Sequence, residues 1–478
     1  MTGLDIGIVI GYFLVIIAVG VYSSRKAQAS SDYLVAGHRL GYGITFACLS
    51  AVLLGGASTI GSTALGYRYG ISGIWLVSML GLGLMLVGIL LVKRIRELEV
   101  LTVAELLTKR FGAKAGVVTA LVSALYTMMV CATQVIAMGT ILQGFAGWDS
   151  AMSMLVVGVV VVAYTILGGM WAITLTDFIQ FILIVAGVTL VMMPACVHAA
   201  GGLSAIGATL PSSYFDITSI GFPTIVQYFF LYCLGALVGQ DLWQRYLTAR
   251  SVKVARRSGI ASGAFILFYA IACTLVGMAA AVYMPGIDDA QLVFAKMADE
   301  VLPTGALGLV LTAVLAVLMS TASGTLLASS SLLTNDVIKP ASAYLRTKSK
   351  AVAKEYLEED RMLLKASRRM TACVGAVAIV VAVWLNNVIA ALDASYAILS
   401  GALFFPIILG MFWKKATAKA ALASIVVSSV VILLGLGLMG TTAVEPIMIG
   451  LAVSGAIMVS VSLLGSRIKD ADINKDDL

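Results

Sequence analysis

Long hydrophobic runs dominate this chain, and short polar segments separate them. Most runs reach the roughly 20 residues that a helix needs to cross a bilayer, and none shows the strict alternation of a membrane-spanning strand. The pattern therefore predicts an all-α membrane bundle with about thirteen spans. The spans, numbered one to thirteen, are predicted at residues 4–23, 42–67, 72–93, 115–146, 151–168, 172–195, 222–244, 258–284, 302–334, 371–389, 391–413, 417–438 and 444–465.

Glycines interrupt two of these spans, which lie five spans apart. Span two contains Gly55 and Gly56, and span seven contains Gly235 and Gly239. Glycine costs about 1 kcal/mol relative to alanine inside a helix, so either close helix packing or a break in the helix must explain it. Close packing of helices at glycines is common in membrane proteins. A spacing of five spans, however, is typical of two inverted repeats whose first helices are unwound.

Composition and charge agree with a membrane protein. Of the 478 residues, 60% are hydrophobic and 12% are charged, whereas a soluble domain carries about 25% charged residues. The lysines and arginines cluster in loops on one side of the spans, and the other side has little beyond Arg68 and Lys296. By the positive-inside rule, this multi-pass chain of the cytoplasmic membrane has its N-terminus outside and its C-terminus in the cytoplasm.

The same charge pattern limits the partners. The net charge of +7 comes from orientation signals, so we expect no nucleic-acid partner. The six cysteines are scattered without zinc-ligand spacing. We expect contact with the lipid bilayer and with a small-molecule solute, and the sequence implies no obligate protein partner. No HExxH motif or comparable catalytic arrangement is present, which argues against an enzyme.

Span six contains an isolated acid. Asp177 is the only formally charged residue between Asp149 and Asp216. A carboxylate in the middle of a membrane helix costs roughly 2.5–3.5 kcal/mol, so it indicates a functional site. Asp177 also follows Gly168-Gly169 closely, which leaves the alternative of a first-turn acid that the helix dipole stabilises.

Span nine is uncharged but contains a cluster of hydroxyls. Ser320, Thr321 and Ser323 lie within one helical turn. Such hydroxyls can offer oxygen ligands to a small hard cation. Alternatively, they bond to the carbonyls of the preceding turn or pack against another helix.

Several motifs occur in an order that resembles the sodium:solute symporter family, which includes sodium-coupled sugar, proline, sialic acid and choline transporters. The motifs are AVLLGG followed by GYRYGISG, then YTILGGMWAITLTDFIQ, GQDLWQRYLTARS, LAVLMSTAS and GMFWKKAT. The resemblance covers nearly the whole chain. It implies a leucine-transporter-like fold with a five-plus-five inverted repeat and two broken helices. The single membrane domain, 1–478, would then comprise an extra helix at 4–23, repeats at 42–195 and 222–413, a basic cytoplasmic loop with a surface helix at 338–370, and two final helices at 417–465.

The resemblance also implies a main sodium site. Its ligands in this chain would be the carbonyls of Ala51, Leu54 and Val317 and the hydroxyls of Ser320 and Thr321. Sodium would join span two to span nine, so the separation of the spans would depend on the ion. Na⁺ is therefore the expected coupling ion.

A second sodium site is less complete. Asp177 matches an acid that contributes to this site in some members, and Ser320 and Ser323 are the accompanying hydroxyls. The next position is Gly324, where some two-sodium members have a serine. The sequence leaves open whether Asp177 completes a second site or only relays an ion toward the cytoplasm.

The substrate positions favour a small polar solute. Ser58 and Val77 occupy positions that bind sugars in relatives, and Leu53 and Gly239 occupy the tryptophan positions of choline transporters, so neither solute fits. We expect an amino acid or a small carboxylate, held in part by free amides at the glycine break. For Gln134 and Tyr232, interhelical hydrogen bonding is the alternative. The candidate substrate residues are Leu53, Gly55, Gly56, Ser58, Thr59, Gln134, Tyr232, Gln240, Tyr396 and Ser400.

These features predict a sodium-coupled symporter that imports its solute by alternating access. A proton-coupled transporter of the same fold and a membrane solute sensor are the alternatives. Asp241 and Arg245, near the end of span seven, are interpreted either as an intracellular gate pair or as a helix cap. Asp393, near the start of span eleven, is interpreted as an interfacial acid.

Overall fold

The computed structural model describes residues 2–24, 30–340, 355–385, 387–440 and 445–476. Within these ranges the chain is helical, and its one extended pairing is a bridge between Leu40 and Ala249. Length and apolar composition identify ten helical stretches in the described chain that can cross a membrane, or eleven with one bent pair. Two stretches, Ala57–Glu97 and Ser150–Ala199, have 41 and 50 residues, about twice the length of a single span.

Each of these two stretches contains a glycine with a left-handed backbone. Gly169 has φ 54° and separates spans five and six. Five residues before it, the Tyr164 hydroxyl donates to the Met319 carbonyl at 2.9 Å. Eleven residues after it, Gln180 Nε2 donates at 2.9 Å to the Tyr12 hydroxyl, which itself lies 3.5 Å from Met319 Sδ. The chain therefore reverses at Gly169.

The second reversal lies at Gly70, where φ is 60°. Gly66 and Gly73, on either side of this turn, pack backbone against backbone. Spans two and three therefore form a helical hairpin, as spans five and six do. With both hairpins resolved, the described residues contain all thirteen predicted spans.

The helix bounds follow the prediction closely, apart from the interruptions, the earlier start of the helix of span ten and the later end of the helix of span thirteen. From span one to span thirteen, the helices are Gly3–Ser24; Tyr42–Leu53, Ala57–Gly61 and Ser62–Tyr69; Trp75–Leu86, Val87–Leu91 and Val92–Glu97; Ala113–Ala146; Ser150–Ile184, Val185–Met192 and Met193–Ala199 for spans five and six; Phe222–Tyr228, Phe229–Cys233, Leu234–Val238 and Gln240–Thr248; Val252–Tyr283; Ala306–Leu332 and Leu333–Ile338; Glu355–Leu385; Val388–Ile398, Leu399–Leu403 and Phe404–Phe412; Ala418–Met439; and Glu445–Asp476. Shorter helices connect them at Ser30–Val35, Val103–Phe111, Gly202–Thr209 and Val293–Val301.

The predicted basic loop at 338–370 lies partly outside the described residues, which exclude 341–354. From Glu355 the chain is helical, and this helix continues without interruption through span ten to Leu385. The surface helix expected in this loop is therefore continuous with span ten in its described part.

The basic segments that follow spans one, three, seven and eleven meet at one end of the molecule. Leu40 pairs with Ala249, and the Arg96 guanidinium donates to the Ala249 carbonyl at 2.7 Å. Arg110 donates to the Lys414 carbonyl at 2.9 Å. We call this the basic end, and it is the end that the charge pattern assigns to the cytoplasm.

Span nine lies at the centre of the bundle. Of its most apolar stretch 89% is buried, compared with 22% for span one. It packs against spans two, four, five, six and ten, so its hydroxyls face protein and not lipid. A central helix rich in hydroxyls is consequently well placed to form a polar site.

Candidate functional site

Span two is broken beside Gln134 of span four. The helix Tyr42–Leu53 ends at Leu54, whose φ of −86° and ψ of 84° lie outside the helical region. The Gly56 amide, across the break, donates to Gln134 Oε1 at 2.8 Å. A Cβ atom on Gly55 would lie only 2.7 Å from the same oxygen. Helix interruption and close packing, the two explanations for these glycines, therefore both apply.

The Thr321 hydroxyl of span nine lies against this break. Its Oγ1 atom is 2.9 Å from the carbonyl oxygen of Val52 and 3.4 Å from those of Leu54 and Val317. Ala51 lies in the last turn of the same half-helix and is fully buried. The structure thus brings three predicted sodium ligands together and adds the Val52 carbonyl. Neutral, buried oxygens from two helices fit a desolvated alkali cation.

Ser320, the neighbouring hydroxyl, is directed elsewhere. Its Oγ atom donates to Asp177 Oδ1 at 2.5 Å. On the other carboxylate oxygen of Asp177, Arg245 Nη2 and Nε donate at 3.1 and 3.3 Å. The side chains of Asp177 and Arg245 are 0% and 1% exposed, so they form a fully buried ion pair. Pairing of this kind explains how an apolar span accommodates the carboxylate.

This ion pair corrects the interpretation of Arg245. The guanidinium forms neither a gate pair with the Asp241 carboxylate nor an interfacial cap, because it extends inward to Asp177. Its contact with Asp241 is with the backbone carbonyl, at 3.4 Å. Asp177 is consequently bound to an arginine on span seven, in addition to the hydroxyl on span nine.

The remaining predicted ligand of the second sodium site is also involved in a protein contact. Ser323 Oγ donates to the Ser320 carbonyl at 3.2 Å. A Cβ atom on Gly324 would lie 2.8 Å from Cζ of Arg245, so the missing side chain makes room for the guanidinium. In this conformation Arg245 supplies the positive charge beside Asp177, and the second sodium site stays a prediction.

A small cavity of about 20 Å³ adjoins the break in span two. Thr321 belongs both to this cavity and to the oxygen cluster, so the predicted ion and solute sites share a wall. Five predicted substrate residues line the cavity: Leu53, Gly55, Ser58, Gln134 and Tyr396. The other lining residues are Val52, Ala57, Leu80, Val130, Asp241, Thr321 and Leu392.

The other five predicted substrate residues, all described, lie outside the lining of this cavity. They are Gly56, Thr59, Tyr232, Gln240 and Ser400. Gln240 has a different role from the one predicted. Its side-chain amide accepts a hydrogen bond from the Val103 amide at 2.8 Å and donates one to the Leu101 carbonyl at 3.2 Å. It therefore anchors the connection after span three.

Thr59 and Tyr232 are likewise bonded to neighbouring spans. The Thr59 hydroxyl lies 2.7 Å from the Tyr269 hydroxyl of span eight. The Tyr232 hydroxyl donates to Asp393. Asp393 is buried, so the interpretation of this residue as an interfacial acid is wrong. The Tyr232 ring packs against Tyr396, with ring centroids 5.1 Å apart, so it supports a cavity residue from behind.

Asp241 is the one charged residue among the described residues that line the cavity, and the residues predicted for the solute site do not include it. It is 2% exposed and follows Gly239, where span seven bends by 45°. The inverted repeat contained the signal that could have identified it. Asp241 lies two residues after the break in span seven, as Ser58 lies two residues after the glycine pair in span two.

The broken span two thus meets the central span nine at a buried oxygen cluster, and the broken span seven, five spans along, lines the adjoining cavity through Asp241. This arrangement defines a secondary transporter with a leucine-transporter-like fold. The model of the sodium:solute symporter family matches residues 33–428, and the chain belongs to this family. It is a multi-pass membrane protein that performs sodium-coupled solute symport, as predicted.

Known relatives resemble the chain along almost its whole length. The osmoregulated proline transporter OpuE of Bacillus subtilis (strain 168) is 25% identical, over 95% of this chain and 94% of the relative. The sodium/pantothenate symporter of Escherichia coli (strain K12) is 25% identical, over 88% of each chain. A solved Na⁺-coupled sialic acid symporter, in a substrate-bound outward-open state, superposes with a TM-score of 0.82 at 22% identity and covers 97% of this chain and 98% of its own. This superposition confirms the fold.

Proposed function

We propose that this symporter couples one Na⁺, bound where span two meets span nine, to the import of a small carboxylate-bearing solute. The observation that carries the proposal is the position of the Thr321 hydroxyl, which contacts carbonyls of the broken span two and also lines the cavity. The ion would be held by the carbonyls of Ala51, Val52, Leu54 and Val317 together with this hydroxyl.

Coupling follows from the two helices that share the oxygens. Thr321 donates its own proton to the Val52 carbonyl. A bound cation would draw the carbonyl and hydroxyl oxygens toward itself and so fix the break in span two relative to span nine. Because the break also lines the cavity, the ion would favour the state in which the solute site is formed. A ligand shifts a conformational equilibrium only through such differential affinity.

The carboxylate preference is supported by two independent features. Ala57 and Ser58, the first residues after the break, line the cavity, and amides at a helix N-terminus attract anionic groups. Among the relatives, proline and pantothenate are both carboxylates.

The direction of transport is part of the proposal. Basic segments gather at one end of the molecule, and the positive-inside rule favours placing this basic end in the cytoplasm. The N-terminus would then lie outside and the C-terminus inside. In this orientation the ordinary inward sodium gradient drives import.

Uptake by purified protein in liposomes tests the proposal. We expect L-proline or pantothenate to accumulate when an inward Na⁺ gradient is imposed, and not when K⁺ replaces Na⁺. Liposomes without protein and liposomes with equal Na⁺ on both sides are the controls. Uptake that a proton gradient drives equally well in the absence of sodium would contradict the sodium assignment.

A further inference from the structure

Asp241 is a buried carboxylate on the wall of the solute cavity. It is 2% exposed, and its Oδ1 atom accepts a hydrogen bond from the Tyr126 hydroxyl at 3.4 Å. The Tyr126 ring packs against Tyr396, another cavity residue, with centroids 5.3 Å apart. Within the described chain, no lysine, arginine or histidine nitrogen lies within 4.0 Å of the carboxylate oxygens of Asp241. A buried acid without a direct ion pair is unfavourable, so this position suits a positively charged ligand.

Local stabilisation of Asp241 offsets only part of this cost. The residue lies in the first turn of Gln240–Thr248, where the helix dipole favours an acid. Arg245, on the same helix, is paired with Asp177, although its charge and the amides of Asp241 and Leu242 also favour the Asp241 carboxylate. The Asp241 carboxylate is therefore the negative pole of the cavity.

The opposite pole comes from span two. Ala57 and Ser58 begin the half-helix after the break, and both line the cavity. The first amides of a helix have no carbonyl partner in a preceding turn and carry a partial positive charge. The first turn here contains no acid that would neutralise it. One small cavity thus combines a positive backbone pole with a negative side chain.

We propose that the transported solute is a zwitterion, an α-amino or imino acid, whose ammonium group binds Asp241. Its carboxylate binds the amides at Ala57 and Ser58. Leu80, Val130 and Leu392 provide apolar cavity walls, so the solute's own side chain is small and apolar. This assignment rests on the proposed function and narrows it, because it excludes carboxylates that lack an amine.

Matched pairs of solutes test the assignment. Thermal stabilisation of the purified, full-length protein in Na⁺ is measured with L-alanine against propionate and with L-proline against cyclopentanecarboxylate, each pair differing in the amine. The remaining small apolar amino acids are added to the panel. We expect stabilisation by at least one amine-bearing acid and none by its amine-free counterpart. Failure of every amine-bearing acid to stabilise the wild-type protein overturns the assignment.

Asp241→Asn, which retains size and hydrogen bonding, is the decisive variant. We expect its affinity for the stabilising amino acid to fall roughly 30-fold or more, as when one partner of a buried charge pair is removed. The ratio of its affinities for the amino acid and for the amine-free counterpart should also become smaller. This ratio does not depend on protein yield. Unchanged discrimination in this variant overturns the assignment.

Two further measurements separate this inference from the proposed function. Asp393→Asn removes a buried acid that contacts Tyr232 and does not line the cavity, so it should keep the discrimination of the wild-type protein. Stabilisation by Na⁺ alone should persist in Asp241→Asn, because Asp241 is not among the proposed sodium ligands. If Na⁺ does not stabilise the wild-type protein, that result would instead count against the proposed function.

Discussion

At the scale of single residues, two adjacent hydroxyls of span nine have different partners. Thr321 contacts the carbonyls of the broken span two, whereas Ser320 donates to Asp177. The resemblance to the family assigned both residues to one ion site. In the structure Thr321 lies at the junction of spans two and nine, and Ser320 lies beside the charged pair of Asp177 and Arg245, so the role of Ser320 in the ion site stays a prediction. Substitutions at these neighbouring positions should therefore have unequal effects.

Removing the Thr321 hydroxyl should weaken sodium binding specifically. In Thr321→Ala we expect the Na⁺ concentration for half-maximal uptake to rise about tenfold or more, as for a lost hydrogen-bonding group of roughly 1.5 kcal/mol. Thr321→Ser retains the oxygen and should stay close to the wild-type value. The measurement is solute uptake at varied external Na⁺ and saturating solute. Equal Na⁺ dependence in the alanine and serine variants would exclude Thr321 as a ligand.

At the scale of helical elements, the break in span two depends on glycines that contact two other spans. A Cβ atom on Gly56 would lie 3.1 Å from Leu318 of span nine and even closer to Ala137 of span four. The break is therefore tightly packed between spans four and nine. Gly61, five residues along the same half-helix, has only an ordinary contact, 3.7 Å from Ala57.

This difference gives a matched pair of substitutions. Gly56→Ala should force the break away from spans four and nine and reduce sodium-driven uptake at least about tenfold, because rigid helix packing does not absorb an added methyl group. Gly61→Ala adds the same group in ordinary helical space and should keep most of the uptake. Both rates are compared per protein in the liposomes. Equal activity of the two variants would show that tight packing at the break is not required.

The spans and both breaks could be predicted because lipid forces the backbone into helices and glycine marks the interruptions. The hydrogen-bond and ion-pair partners of the polar side chains could not be predicted. Arg245 lies 68 residues from Asp177 at a position that predicts an interfacial side chain, but this long side chain extends inward from the half-helix after the break. Gln240 and Asp241 are neighbours, yet one anchors a connection and the other lines the cavity. The rotation of a half-helix about its axis after a break determines where its polar side chains point. Hydrophobic periodicity does not specify this rotation.

At the scale of the whole molecule, the fold contains two polar centres with different electrostatics. The junction of spans two and nine offers only neutral oxygens, so an ion there contributes a mobile positive charge. At the other centre, Arg245 supplies a fixed positive charge to Asp177, with room provided by Gly324. A sodium ion beside this carboxylate would be repelled by the guanidinium at short range. The arrangement therefore predicts one transported sodium ion per cycle.

Reversal potentials measure this ratio directly. With one Na⁺ and a zwitterionic solute, each cycle moves one positive charge, so a tenfold change in either gradient should shift the reversal potential by about 59 mV. The two shifts are equal because one ion accompanies one solute molecule. Their ratio gives the number of sodium ions whatever charge the solute carries. A sodium shift twice as large as the solute shift would mean that two sodium ions move with each solute molecule, and would contradict the single-ion prediction.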